Sequence, residues 1–501
     1  MDIVFRCGDL LQRPAGALVV GLLKGERKLA GAAAAVDRAA HGALSALLAR
    51  RDFSGAHAEL VVLYPKGLKL KRILVVGLGP RAGLSLQRVR LAAAAAVRKA
   101  RELRAGTVVI AALGADRLDP VAAAQATAEG AVLGPWRFTA YRTKPGAPAL
   151  RRVEVVESGT ERAPSLAAAV ERGARWAEGA VLARDLTSMP GGDLTPEQLV
   201  ERAKEVAHAA GAKLEVLDVP AMERLGMNAI LGVGRGSVHP PRFIVLERGP
   251  KAERGEAPPT VVVVGKGVTF DAGGISLKRR DGLHEMKYDM AGAAAVLGLF
   301  AALPSVTLPL RIVGLIPAAE NMPGGRALKP GDVLRAMNGT FIEVTSTDAE
   351  GRLLLADALV YAQRYEGATV VDLATLTGAI GIALGPYVAG LFTTNDGLAA
   401  ELLAAGEAAG ERLWRMPLWD EYEKELESDT ADIVNAAASR DGGACVAARF
   451  LKHFTGDLRW AHLDIANTAW APSERPHERR GPTGYGVRLL LEWLTRRAKE
   501  A

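Results

Sequence analysis

The stretch Thr260-Val261-Val262-Val263-Val264-Gly265-Lys266-Gly267 reads as a strand that ends at a lysine. Four consecutive β-branched apolar residues leave no polar face, the pattern of a strand buried on both sides of an α/β sheet, and the glycines end it. Downstream the chain places Asp271 in Phe270-Asp271-Ala272-Gly273-Gly274, then Lys278, then Asp289 just before the helix-like run Ala291-Gly292-Ala293-Ala294-Ala295-Val296-Leu297. Thr347-Asp348-Ala349-Glu350-Gly351-Arg352-Leu353 closes the stretch. Lys266, Asp271, Asp289, Asp348 and Glu350 are candidate metal ligands, and Lys278 and Arg352 are two more cations with no acidic neighbour in sequence. Glycines crowd these charges at the ends of apolar runs, where open α/β sheets place ligands. Each piece also fits a simpler role. Thr347-x-x-Glu350 matches a helix capping box, Asp289 suits a helix N-terminus, Asp271 suits a glycine turn, and the lysines suit solvent.

Outward from this stretch, 501 residues with 49% hydrophobic composition imply two globular domains. The sequence shows no apolar run of membrane-spanning length and, at Met1-Asp2-Ile3-Val4-Phe5-Arg6, no charged n-region followed by an h-region, so no membrane association is expected. Cys7 and Cys445 lie at opposite ends, which argues against a disulfide framework or cysteine zinc site and for a reducing cytoplasm. Residues 1–165 hold 26 Lys and Arg against 13 Asp and Glu, a net of +13, whereas the remainder carries −6. Such a basic half serves either solubility or contact with nucleic acid, and no recognition motif accompanies the charge.

Strand candidates at 17–20, 60–63, 73–76 and 107–110 alternate with alanine-rich helical runs at 91–97 and 121–124, an α/β pattern. Val75-Val76-Gly77-Leu78-Gly79-Pro80-Arg81-Ala82-Gly83 imitates a dinucleotide fingerprint, but its third glycine is one place late and no acidic residue ends a second strand. A polar turn at Glu157-Ser158-Gly159-Thr160 precedes a long helix from Ala163 to Leu186. The expected organisation is therefore a smaller N-terminal α/β domain at 1–162, a connecting helix at 163–186, and a larger C-terminal α/β catalytic domain at 187–501 with a mixed sheet flanked by helices. Thr195-Pro196-Glu197-Gln198 predicts a capped helix start. His284-Glu285 lacks the second histidine of a zinc helix because position 288 is Tyr, and His462 and Asp464 read as packed or hydrogen-bonded strand residues.

Two segments, 264–278 and 347–353, resemble the signature of the leucyl aminopeptidase family, also called M17 or cytosol aminopeptidase. The likeness continues through Glu320-Asn321-Met322-Pro323, Lys329-Pro330-Gly331-Asp332-Val333, Asp372-Leu373-Ala374-Thr375-Leu376-Thr377-Gly378-Ala379 and Gly481-Pro482-Thr483-Gly484-Tyr485-Gly486-Val487-Arg488. It implies a metal-dependent aminopeptidase that releases N-terminal, leucine-like residues from peptides. By resemblance, Lys266, Asp271, Asp289 and Glu350 hold one divalent ion and Asp271, Asp348 and Glu350 a second. Lys278 would stabilise the developing gem-diolate, Arg352 would hold a bicarbonate acting as general base, and Met286, Thr375 and Gly378 would line the side-chain pocket. The resemblance further implies a homo-hexamer and, from some bacterial members, DNA binding by the N-terminal domain. Two positions depart from the family pattern, with Ser346 and Ser188 where asparagines are usual.

The chemistry suits those residue types. Four carboxylates balance two dications, and divalent ions lower the pKa of water and polarise a carbonyl, so no protein nucleophile is needed. A set without His or Cys is harder than a usual zinc site, leaving Mn2+, Zn2+, Co2+ and Mg2+ open, with Mn2+ or Zn2+ expected.

Overall fold

The computed structural model describes residues 1–26, 28–144, 146, 148–250, 258–476 and 478–500. Its contacts divide the chain into one unit of Met1–Val181 with Ser473–Arg480 and another of Leu182–Pro472 with Gly481–Ala501. The expected long helix is Ala163–Ser188, and the division falls inside it. The segment Ser473–Arg480 joins the N-terminal unit, a return of the chain that a linear division at 162 and 187 does not contain.

The N-terminal unit holds a six-stranded sheet in the order Asp2–Cys7, Arg152–Glu157, Thr107–Ala111, Ala17–Lys24, Ile73–Pro80, Leu60–Leu63. All neighbours are parallel except the last pair. The glycine decoy at 75–83 is the end of strand Ile73–Pro80 and a 3-10 turn, and the alanine-rich runs lie in helices Leu86–Glu102 and Pro120–Leu133.

In the C-terminal unit the valine run is a central strand, Thr260–Gly265, flanked in parallel by Arg311–Asn321 and Thr369–Ala374. Its four valines are completely buried. Val262 and Val264 join the core built on helix Gly351–Ala362, and alternation turns Val261 and Val263 to the opposite face, where helix Ala291–Ala302 packs. The sheet has nine strands and mixes directions. Arg459–Asp464 continues it in parallel beyond Thr369–Ala374, whereas Arg242–Arg248 runs antiparallel to Arg311–Asn321. Leu283–Ser305 has the length and composition of a membrane span, contrary to the expectation that no run reaches it. Its main part, helix Ala291–Ala302, is a core helix with almost every residue buried, so core packing accounts for its apolar character.

Glycine lets that helix approach the sheet. A Cβ on Gly292 would stand 2.2 Å from the Leu373 carbonyl oxygen, and one on Gly265 2.4 Å from the Gly292 carbonyl oxygen. On the other face, the buried Asp357 anchors two further segments. Its Oδ2 accepts from the N–H groups of Ala229 (2.9 Å) and Ile230 (3.1 Å), and its Oδ1 from that of Met337 (2.9 Å). Burial pushes this carboxyl up to about 7, against the pull of its three N–H donors. Asp357→Ala, which strands those donors, should cost about 3–5 kcal/mol in a denaturant titration. The pH dependence has a definite sign. The folded carboxyl keeps its proton to about 7 and a free one loses it near 3.8, so its contribution is complete at low pH and declines as pH rises through that window. The melting-temperature advantage over Asp357→Asn should therefore shrink from about pH 4 to about pH 7; an advantage that grows across that range would contradict this.

Candidate metal centre

The five candidate ligands arrive on different elements. Lys266 follows the central strand, and its backbone N–H donates to the Leu373 carbonyl (3.0 Å) while its carbonyl accepts from Ala293 (2.9 Å). Asp271 ends strand Gly267–Asp271, level with Asn321. Asp289 ends the 3-10 turn Leu283–Tyr288, ahead of helix Ala291–Ala302. Asp348 and Glu350 lie between strand Phe341–Glu343 and helix Gly351–Ala362, whose first turn carries Arg352. Lys266, Asp271 and Thr375 thus leave the carboxyl ends of parallel strands, where such sheets gather ligands.

The side chains converge. One oxygen from each of Asp271, Asp348 and Glu350 lies within 4.8 Å of the other two. Lys266 Nζ lies 2.8 Å from Glu350 Oε1 and donates to Asp289 Oδ1 and the Thr375 carbonyl, both at 2.9 Å. Lys278 Nζ lies 2.8 Å from Asp271 Oδ2 and 2.5 Å from Asp348 Oδ1. A Cβ on Gly351 would stand 2.7 Å from Lys266 Nζ, so glycine there leaves the amine its place.

Of the simpler roles, the helix cap and the solvated lysines fail on geometry. Thr347 does not cap the helix; its hydroxyl donates to the Gly273 carbonyl (2.6 Å) and accepts from Ser276 N–H (2.8 Å). Glu350 turns its carboxylate to Lys266, which is only 2% exposed. Asp271 does hold the glycine turn, accepting from Gly273 N–H at 2.9 Å, but its other oxygen faces Lys278.

Burial sets the electrostatics. Desolvation raises the Asp271, Asp289 and Asp348 carboxyls; Glu350 adds repulsion at Asp271 and Asp289, Asp271 adds it at Asp348, and the lysines oppose the rise. Desolvation would lower both lysines, but the surrounding carboxylates overcome it and raise them. Arg352 is brought down to about 10 by burial, against the opposing charges of Glu350 and Asp464. Among the described residues, Arg352 Nε is buried without a hydrogen-bond partner, and the equally buried Asp289 Oδ2 and Glu350 Oε1 lie 2.9 and 2.8 Å from the Lys266 ammonium. Carboxylate oxygens gathered this closely, with no histidine or cysteine in the trio, fit divalent cations with oxygen ligands.

Of the pocket candidates, Met286 is half-buried and Gly378 is exposed, with open space where a Cβ would stand. Thr375 is buried, and its hydroxyl donates to Asp289 Oδ1 at 2.7 Å. Ser188, one of the two departures, donates its hydroxyl to the Arg184 carbonyl (2.8 Å), and its own carbonyl accepts from Lys287 Nζ (3.1 Å).

Several supports escaped the sequence reading. Asn321 Nδ2 donates to Asp271 Oδ1 (2.8 Å) and the Thr347 carbonyl (3.0 Å). Asp464 accepts from the Thr377 hydroxyl at 2.6 Å and the Leu376 N–H at 3.2 Å, tying down the turn that carries Thr375. His462 is buried with Nδ1 2.5 Å from Asp372 Oδ1, so it and Asp464 are hydrogen-bonded strand residues. Asn321 was visible only as part of Glu320-Asn321-Met322-Pro323, and the other supports follow no local motif.

The fold and the centre define a two-domain α/β protein whose C-terminal unit gathers lysine and carboxylate side chains suited to divalent cations. The sequence model described as the cytosol aminopeptidase family, catalytic domain, matches residues 181–491, and that family's N-terminal domain matches 19–145. The chain belongs to this family of metal-dependent aminopeptidases. Probable cytosol aminopeptidases from Roseiflexus castenholzii and Geobacter sulfurreducens are 44% and 46% identical, each alignment covering 99% of both chains. Among solved structures, the bottromycin maturation enzyme BotP in complex with Mn has a TM-score of 0.84 at 39% identity, covering 97% of this chain and 100% of that one. A tomato leucine aminopeptidase mutant has a TM-score of 0.89 at 34% identity, covering 99% and 96%.

Proposed function

We propose that this aminopeptidase removes single, leucine-like residues from the amino termini of peptides with the help of two divalent ions. The observation that carries the reading is the meeting of Asp271, Asp348 and Glu350 within 4.8 Å, with Lys266 and Asp289 packed against the same carboxylates. Lys266, Asp271, Asp289 and Glu350 would hold one ion and Asp271, Asp348 and Glu350 the other, Mn2+ or Zn2+ suiting this set. When bound, the ions supply Lewis acidity and ease the ionisation of water. Lys266 could serve as a ligand only as the neutral amine, and an adjacent dication is the influence that lowers its pKa. Lys278 stands between Asp271 and Asp348, placed to donate to an oxyanion forming on the scissile carbonyl. Arg352 Nε is a buried donor that has no hydrogen-bond partner among the described residues, and a bicarbonate held there would supply a proton acceptor. Met286, Thr375 and Gly378 are assigned to the side-chain pocket. The reading includes a cytoplasmic location and a homo-hexamer, the latter tested by light scattering.

Purified protein with Mn2+ or Zn2+ should release p-nitroaniline from leucine p-nitroanilide, lose that activity to a chelator, and refuse the N-acetylated substrate. Absence of turnover with every divalent ion would overturn the proposal. The net +13 of residues 1–165 motivates a second reading, charge-driven DNA binding. Duplex DNA should then be retarded at physiological salt and released steeply as salt rises; no retardation there would leave solubility as the account.

A further inference from the structure

The loop that carries Asp348 and leads into Glu350 is held by a side chain from another part of the chain. Asn435 follows strand Ile433–Val434, which pairs in parallel with Phe341–Glu343, and its backbone N–H donates to the Glu343 carbonyl at 2.9 Å. That register sets its fully buried carboxamide beside the residues that follow Glu343. Asn435 Oδ1 accepts from Thr345 N–H (2.9 Å), Ser346 N–H (3.2 Å) and the Thr345 hydroxyl (3.3 Å). Its Nδ2 donates to the carbonyls of Ser346 (2.7 Å) and Ala349 (3.4 Å). The Asn435 carbonyl accepts from Arg352 Nη1 at 2.8 Å.

A carboxamide combines an acceptor with two donors on one short side chain, and here both ends are spent on the loop backbone. An apolar side chain of similar size would fill the same space and leave those groups unpaired. The turn at Ser346 is thus fixed through its backbone by Asn435. Asp348 depends most on this arrangement, because its carboxylate is 38% exposed and meets Lys278, so the loop backbone sets where it stands. Lys266 and Asp289 lie on other elements and are held through Thr375.

We infer that Asn435 is a positioning residue for the ion held by Asp271, Asp348 and Glu350, an inference that rests on the two-ion reading above. It fixes the backbone from Thr345 to Ala349, hence the direction of the Asp348 carboxylate, and its carbonyl aims the Arg352 guanidinium, whereas Glu350 opens helix Gly351–Ala362 and is held separately against Lys266. Loss of its amide therefore acts selectively on one of the two ions.

The test is Mn2+ titrated calorimetrically into the metal-stripped full chain, with electron paramagnetic resonance to distinguish paired from isolated Mn2+. Wild type should take up two ions as a coupled pair. Asn435→Ala should bind the first with unchanged affinity and the second roughly 10–100-fold more weakly, the range for lost support of a metal ligand. At limiting Mn2+ its signal should be that of isolated ions, and at saturating Mn2+ kcat should fall while KM holds. Amide exchange should quicken in residues 344–350 and stay slow in strands Thr260–Gly265 and Arg311–Asn321. Asn435→Asp, which keeps the acceptor but loses the donor, should lie between. Unchanged affinity for both ions overturns the inference, as does equal weakening of both with faster exchange throughout the sheet. Should Asn435→Ala not fold, Thr345→Val, which removes the hydroxyl's bonds to Asn435 and Ala436, should show the same selectivity on a smaller scale; unchanged second-ion affinity there overturns it equally. A wild-type uptake below two ions would be seen separately and would remove the two-ion reading itself.

Discussion

Glu350→Ala should abolish binding of both ions and lower kcat/KM by about 10^3-fold or more, the equivalent of several kcal/mol of lost transition-state stabilisation. The reason is its position. Its side chain is 2% exposed, meets Lys266 at 2.8 Å, and belongs to the trio with Asp271 and Asp348. The two proposed ligand sets share only Glu350 and Asp271, so loss of either carboxylate takes a ligand from each ion. The metal-free protein should respond differently. There Glu350 balances a buried ammonium, but Asp289 remains against Lys266, so the variant should fold and melt in one transition. Metal content by elemental analysis and hydrolysis of leucine p-nitroanilide are the measurements. Two ions per chain in folded Glu350→Ala would remove it from the shared position.

How far the sequence could be read follows from where each constraint lives. The valine run and the ligand-bearing stretch are local, so their alternation, glycines and charges can be seen without the fold. The capping-box reading of Thr347 and Glu350 was also local, and it failed because each side chain found a better partner across space: the 273–276 turn for Thr347 and Lys266 for Glu350. Asn435 was out of reach for the same reason, and so was the hold of Asp464 on the turn that carries Thr375, although its place as a hydrogen-bonded strand residue could be read. They act on segments some 90 residues away in sequence, and only the register of strands Ile433–Val434 and Arg459–Asp464 against their neighbours brings them there. The assignment of Ser473–Arg480 to the N-terminal unit leaves no mark in composition. Local patterns report backbone preference, whereas the supports of this centre are side-chain hydrogen bonds, to backbone and to other side chains, made by tertiary pairing.

Lys278→Met should show the opposite dissociation, keeping both ions while kcat falls about 10^2–10^3-fold, the usual effect of removing one donor from a developing oxyanion. Methionine keeps an unbranched apolar stem and removes the charge. In the structure that charge sits 2.8 Å from Asp271 and 2.5 Å from Asp348, where it competes electrostatically with any dication for the same oxygens. Its loss should therefore leave ion affinity unchanged or raise it, whereas loss of a ligand lowers it. Stability separates the two states further. Without ions, the variant strands Asp271, a nearly buried carboxylate, and should lose about 3 kcal/mol, the scale for breaking one side of a buried pair. With ions bound, the dications supply the missing charge and the loss should largely vanish. Melting curves with and without Mn2+, set beside kcat, thus read two roles of one lysine. A variant that loses ions in parallel with rate would place Lys278 among the residues that hold the metal rather than those that act on the substrate.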